Sequence, residues 1–248
     1  MYAHVFRART SWLPAVATLM LAGATAVQIA AQSPPGDRHS PARAAYMRAH
    51  FNKALQLHDA VVRGHLDDAR TQAAALADDS PAVTLPPGAE AFQGRVTQLA
   101  RNASRARTLE EAGQTTAAIL GTCGQCHRAM HARAAIPIAP DPKVGGLVGH
   151  MLLHQRGADA LVEGLVGPSD SSWEEGVRTF AGATLDLDEV PSRLRKRMAN
   201  AEVELAQLAG HAAQAHRTRE REELYGRMLV TCGDCHSHYA THAGPGKR

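Results

Sequence analysis

Two five-residue frames constrain this chain more than any other feature: Cys123-Gly124-Gln125-Cys126-His127 and Cys232-Gly233-Asp234-Cys235-His236. They use all four cysteines of the 248 residues, and each follows a threonine, Thr122 or Thr231. On a helix, positions i, i+3 and i+4 share one face. Cys123, Cys126 and His127 therefore point the same way, as do Cys232, Cys235 and His236. Two thiols so placed can add to the two vinyl groups of a haem lying against the helix. The histidine beside the second thiol can then reach the iron. Cys-x-x-Cys-His is the attachment signal of c-type haem, so two frames predict two covalently bound haems. Three other uses of the cysteines compete. A four-cysteine zinc site would leave both following histidines as coincidences. A thioredoxin-like pair wants a βαβ context that is missing. Structural disulfides remain a third use.

The frames belong to a longer repeat. His50-Phe51 precedes Asp59-Ala60-Val61-Val62-Arg63-Gly64, and His150-Met151 precedes Asp159-Ala160-Leu161-Val162-Glu163-Gly164. The offset is 100 there and 109 at the cysteines, so two copies are expected, about 42–136 and 144–244. Pro137, Pro140 and Pro142 stiffen the linker between them. Aromatics are only 4% of the chain, and helix formers dominate, which favours helices over sheets.

Four helices are expected per copy, all-α overall, as two tandem four-helix up-and-down bundles with the haem motif on each last helix. In the first copy the helices are expected at about 43–63, ending near Gly64 as its C′ residue, then at 67–79, 89–107 and 109–134. In the second, the first helix is expected at 145–166. The next starts from a capping box at Ser171 or Ser172 with Glu174 or Glu175. The third follows Pro191, and the fourth covers 218–242.

Arg7 and Arg9 precede an uncharged, mostly apolar stretch, Trp12 to Ala31. Residues 1–32 read as a secretory signal peptide, with an uncleaved membrane anchor as the other reading. Export to the periplasm is the expectation. The net charge of +3 falls to +1 without Arg7 and Arg9. No basic stripe with interleaved aromatics suggests nucleic acid. The run Arg193-Leu194-Arg195-Lys196-Arg197 reads as a solvated helix face, or as a docking patch for an acidic redox partner.

With the haem motif near the end of a fourth helix, each half resembles a class II c-type cytochrome of the cytochrome c′ type. The resemblance covers about 200 residues. An aromatic commonly follows the proximal histidine by three positions in that family. Tyr239 fits, whereas Met130 stands in the first copy. The family usually pairs one-bundle chains as homodimers, which here implies an internal pseudo-dimer and is compatible with a homo-oligomer. Its sixth iron position is typically open, yet the first helix of each copy here carries a histidine on an apolar stripe, His50 and His150. The expectation is therefore iron held by His127 with His50 and by His236 with His150. His58, His65, His154 and Met47 are competing ligands. The functional expectation is a non-enzymatic electron-transfer protein serving exported or membrane-bound redox proteins. The alternative is a nitric oxide or carbon monoxide binder with an open iron.

Overall fold

The computed structural model describes residues 40–134 and 136–243, with backbone only for 239–243. The expected signal segment, 1–32, lies outside the described residues, as do the side chains of Tyr239 and His242. The protein is all-α: among the described residues there are eight α-helices, one short 3-10 turn and no strand. The helices are α1 (Pro41–Val62), α2 (Leu66–Ala77), α3 (Ala89–Ala103), α4 (Leu109–Ala129), α5 (Gly146–Val166), α6 (Asp170–Gly182), α7 (Ser192–Ala212) and α8 (Thr218–Ala243). None of the described helices is long and apolar enough to cross a membrane.

Local chemistry explains the boundaries. Ser40 caps α1, its hydroxyl accepting from the Arg43 amide, with Pro41 at the first helical position, where its missing N–H costs nothing. Gly64 follows α1 at φ +75°, the left-handed C′ conformation expected of it. α2 opens on Asp67 and Asp68, which complement the helix dipole. Thr108 caps α4 by accepting from the Glu111 amide. α4 stops at Ala129, before the expected 134, because His131 turns left-handed at φ 49°. α3 stops at Ala103, before the expected 107, and Thr108 can then start α4. The expected capping box at Ser171 or Ser172 is corrected. Ser169 is the cap, accepting from the Ser172 amide, and both expected serines lie in the first turn.

Each half packs its helices in chain order: α1 on α2, α2 on α3, α3 on α4, and α5 on α6, α6 on α7, α7 on α8. Contacts of α1 with α4 and of α5 with α8 complete each half. The halves join through α4 on α8, α4 on α5 and α1 on α8. One continuous core holds them, with Leu57, Leu76, Leu120, Leu161, Trp173, Leu208, Tyr225 and Leu229 fully buried. The Trp173 indole donates to Ala212 O at 3.0 Å, so its N–H is satisfied.

α4 and α8 run antiparallel. A Cβ on Gly113 would meet Val230 at 2.9 Å, a Cβ on Gly121 would meet Glu222, and Gln125 donates to Glu222 at 3.2 Å. As the numbers rise along α4 they fall along α8, and the crossing centres near Ala117 and Gly226. Small residues there let the backbones approach.

Candidate functional site

Cys123, Cys126 and His127 share a face of the last turns of α4; Cys232, Cys235 and His236 share a face of α8 two to three turns before its end. All four cysteines are free. Burial pushes the Cys123 thiol up to about 12, and the neighbouring Cys126 adds to the shift. Burial does the same to Cys232, again to about 12, with Cys235 adding. Cys126 and Cys235 are raised by burial too. A redox-active pair needs a lowered thiol, so the arrangement runs against thioredoxin-like chemistry. Cys123 and Cys232 each lie six residues beyond the α4–α8 crossing, in opposite directions. At 1.5 Å of rise per residue they stand roughly 18 Å apart along the pair. No single ion or disulfide bridges the two frames at that distance.

Each frame is clamped by the other half. His127 Nδ1 donates to Val166 O, at the end of α5, at 2.8 Å. His236 Nδ1 donates to Val62 O, at the end of α1, also at 2.8 Å. The glycine after each first cysteine permits this approach. A Cβ on Gly124 would lie 1.8 Å from Leu165 O, and one on Gly233 would lie 2.5 Å from Val61 O. With Nδ1 carrying the proton, Nε2 keeps its lone pair. This is how the second nitrogen of a metal-ligating histidine is normally held. The residues present therefore fit a covalently held haem at each frame: two protonated thiols and one imidazole of fixed tautomer on a single face.

These contacts also correct the repeat register. Val62 matches Val166 and Val61 matches Leu165, an offset of 104 where the sequence suggested 100. α5 ends two residues past Gly164, whereas α1 ends two residues before Gly64, a difference of four. In space, His50 therefore corresponds to His154, Tyr46 to His150 and Met47 to Met151. α3 and α7 keep the 109 offset, since both end on a buried alanine, Ala103 and Ala212. Gln93 thus corresponds to Glu202.

His50 is buried, and its Nδ1 is 2.7 Å from Asp79 Oδ2. Lys53 binds the same carboxylate. Burial would raise Asp79, but Lys53 and His50 outweigh it and hold the carboxyl low. Tyr46 stacks on His50 at 5.6 Å. Burial, with the Asp79 charge, pushes its phenol up to about 12. His150 is buried with both nitrogens engaged: Nδ1 is 3.1 Å from Thr184 O and Nε2 is 2.9 Å from Glu202 Oε1. His154 lies 4.2 Å from the His150 ring. Burial would raise Glu202, but its contacts with the two histidines hold it down at about 2.

The remaining competitors have other partners. His58 Nε2 pairs with Tyr225 OH at 2.7 Å, inside the α1–α8 contact. Burial pushes His58 down to about 4. His65 pairs with exposed Asp68 at 3.2 Å. Beside Cys235 lies an apolar cluster of Val190, Leu194 and Met198, against which Leu147, Met151, Leu185 and Leu187 also pack. Arg193, Arg195, Lys196 and Arg197 are exposed around buried Leu194.

Sequence reasoning missed Asp79, Thr184, Glu202 and the carbonyls of Val62 and Val166. The one available signal was the identical glycine after each first cysteine, which marks a backbone approach. No family model, curated protein or solved structure matches the chain.

Proposed function

We propose that the chain is an exported dihaem c-type cytochrome that transfers electrons, built from two tandem four-helix bundles, residues 42–136 and 144–244. One observation carries the reading. Both Cys-x-x-Cys-His frames lie in the C-terminal half of equivalent helices, and both histidines give Nδ1 to a backbone carbonyl of the opposite bundle at 2.8 Å. The haem supplies a one-electron ferric/ferrous couple. The chain supplies the rest. Cys123, Cys126, Cys232 and Cys235 anchor, while His127 and His236 ligate through Nε2. The clamp of each histidine on the other bundle fixes ring orientation. Export rests on residues 1–32, and the partners are exported or membrane-bound redox proteins.

On the sixth side, His50 and His150 are the ligands first expected. His50 keeps Nε2 available, because Asp79 takes Nδ1. His150 would have to release Glu202. The corrected register favours a thioether reading instead: Met47 and Met151 occupy equivalent places, and Met151 packs in the same apolar cluster as Cys235. An axial methionine with a histidine is an established haem pairing that raises the potential.

Ferric and ferrous optical spectra of the full chain test the function. Low-spin spectra indifferent to carbon monoxide support electron transfer. A high-spin spectrum that shifts with carbon monoxide would move the reading to gas binding.

A further inference from the structure

We propose that His150, His154 and Glu202 form a binding site for one divalent transition-metal ion of the zinc class. Their donor atoms, one from each residue, all lie within 4.8 Å of one another. His150 and His154 stand at i and i+4 on α5, so both rings leave the same face. Glu202 comes from α7 to meet them. Its Oε1 is 2.9 Å from His150 Nε2, and its Oε2 is 3.6 Å from His154 Nε2.

Bonds of about 2.1 Å in a tetrahedral site put neighbouring ligand atoms roughly 3.4 Å apart. The two observed separations, one from each carboxylate oxygen, bracket that value, and the carboxylate has to turn one oxygen toward both nitrogens for the ion to seat. The second observation is His154 Nε2 itself, which is buried without a hydrogen-bond partner. The 3.6 Å approach to Glu202 is too long to count as one. A buried nitrogen left so costs about 1–3 kcal/mol, and a metal ion removes that cost. The outer contacts are also in place. Thr184 O takes His150 Nδ1, which turns Nε2 toward the ion as second-shell carbonyls do. Phe180 lies 5.2 Å from the His154 ring and backs it.

Two imidazoles and one carboxylate suit zinc and its first-row neighbours, not calcium or magnesium, which want oxygen ligands. Three protein ligands leave one position open to water. The ion takes the place of the proton between His150 and Glu202, so that proton leaves on binding. The other half provides an internal control: Tyr46, His50 and Gln93 stand at the corresponding places and offer no such donor set. One ion per chain follows. The site uses no residue of the two cysteine frames, but Glu202 lies close enough to Cys232 and Cys235 to act on both thiols. It therefore borders the second frame and requires only that His150 is not itself a haem ligand.

The experiment is calorimetric titration of zinc chloride into the full haem-loaded chain, whose thiols are then already used. If the chain carries no haem, the cysteines are first alkylated with iodoacetamide, so a failed haem reading leaves this test intact. The expected result is one zinc ion per chain, with affinity at least about 100-fold weaker in His154→Ala and in Glu202→Gln, since loss of even an outer partner costs 10- to 100-fold. His50→Ala should bind as the parent does. No zinc binding by the parent, or unchanged binding in both variants, overturns the proposal. Should a variant unfold, X-ray absorption at the zinc edge of the zinc-loaded parent decides: imidazole-ring scattering from two histidines supports the site, and the all-oxygen shell of a hydrated ion refutes it.

Discussion

Gly124→Ala puts the clamp under direct stress. The new Cβ would lie 1.8 Å from Leu165 O. Restoring a contact of about 3.2 Å requires α4 and α5 to part by about 1.4 Å. The His127–Val166 bond of 2.8 Å would then stretch to about 4 Å and be lost. Overpacking costs about 1–3 kcal/mol, the lost bond about 1 kcal/mol, and the better helix propensity of alanine returns about 1 kcal/mol. The net expectation is a destabilisation of about 1–3 kcal/mol. At Gly233 the gap of 2.5 Å calls for only about 0.7 Å of opening, so Gly233→Ala should lose less. Urea denaturation of both variants reads the two losses, and the haem spectrum reads whether the histidine has turned. Equal stability, or a gain of about 1 kcal/mol from helix propensity alone, would refute a close α4–α5 approach.

Other consequences follow from the same packing. His58 ordinarily titrates at 6.5 and burial lowers it to about 4. The unfolded chain therefore binds a proton that the folded chain refuses. Stability is intact above about 6.5 and falls as pH drops toward 4, by about 3 kcal/mol in all. His58→Asn should flatten that slope in denaturation curves taken across the range, and an unaltered slope would remove His58 as its source. Ser169→Ala, which deletes the α6 cap, should cost about 1 kcal/mol by urea denaturation. For the sixth ligand, Met151→Ala should lower the potential of one haem and open it to carbon monoxide, whereas His150→Ala should leave that spectrum unchanged. The reverse pattern would restore His150 as ligand.

The all-α class and most helix boundaries were legible because their signals are local. Capping hydroxyls, the left-handed glycine after α1 and the absence of strand-like alternation all act within a few residues. The shared face of the cysteines and histidine in each frame was legible for the same reason, since a five-residue frame carries its own geometry. What failed to show was everything set between distant helices. The repeat aligns best in sequence at Asp59 and Asp159, yet α5 ends two residues past Gly164 where α1 ends two before Gly64, and this slides the match by four residues. A slide of four keeps the same helix face inward, so the apolar pattern could not expose it. Only the carbonyls that receive His127 and His236 do so. Glu202, on α7, and Asp79, just after α2, were hidden likewise: each meets its histidine from a segment distant in the chain, and no periodicity announces such a meeting.

The most direct test of the account is the intact mass of the full chain, matured with a c-type haem attachment system and denatured before measurement. The account predicts a mass increase of two haems that survives denaturation, reduced to one haem by replacing both cysteines of either frame with serine. A denatured chain with the bare polypeptide mass would contradict it.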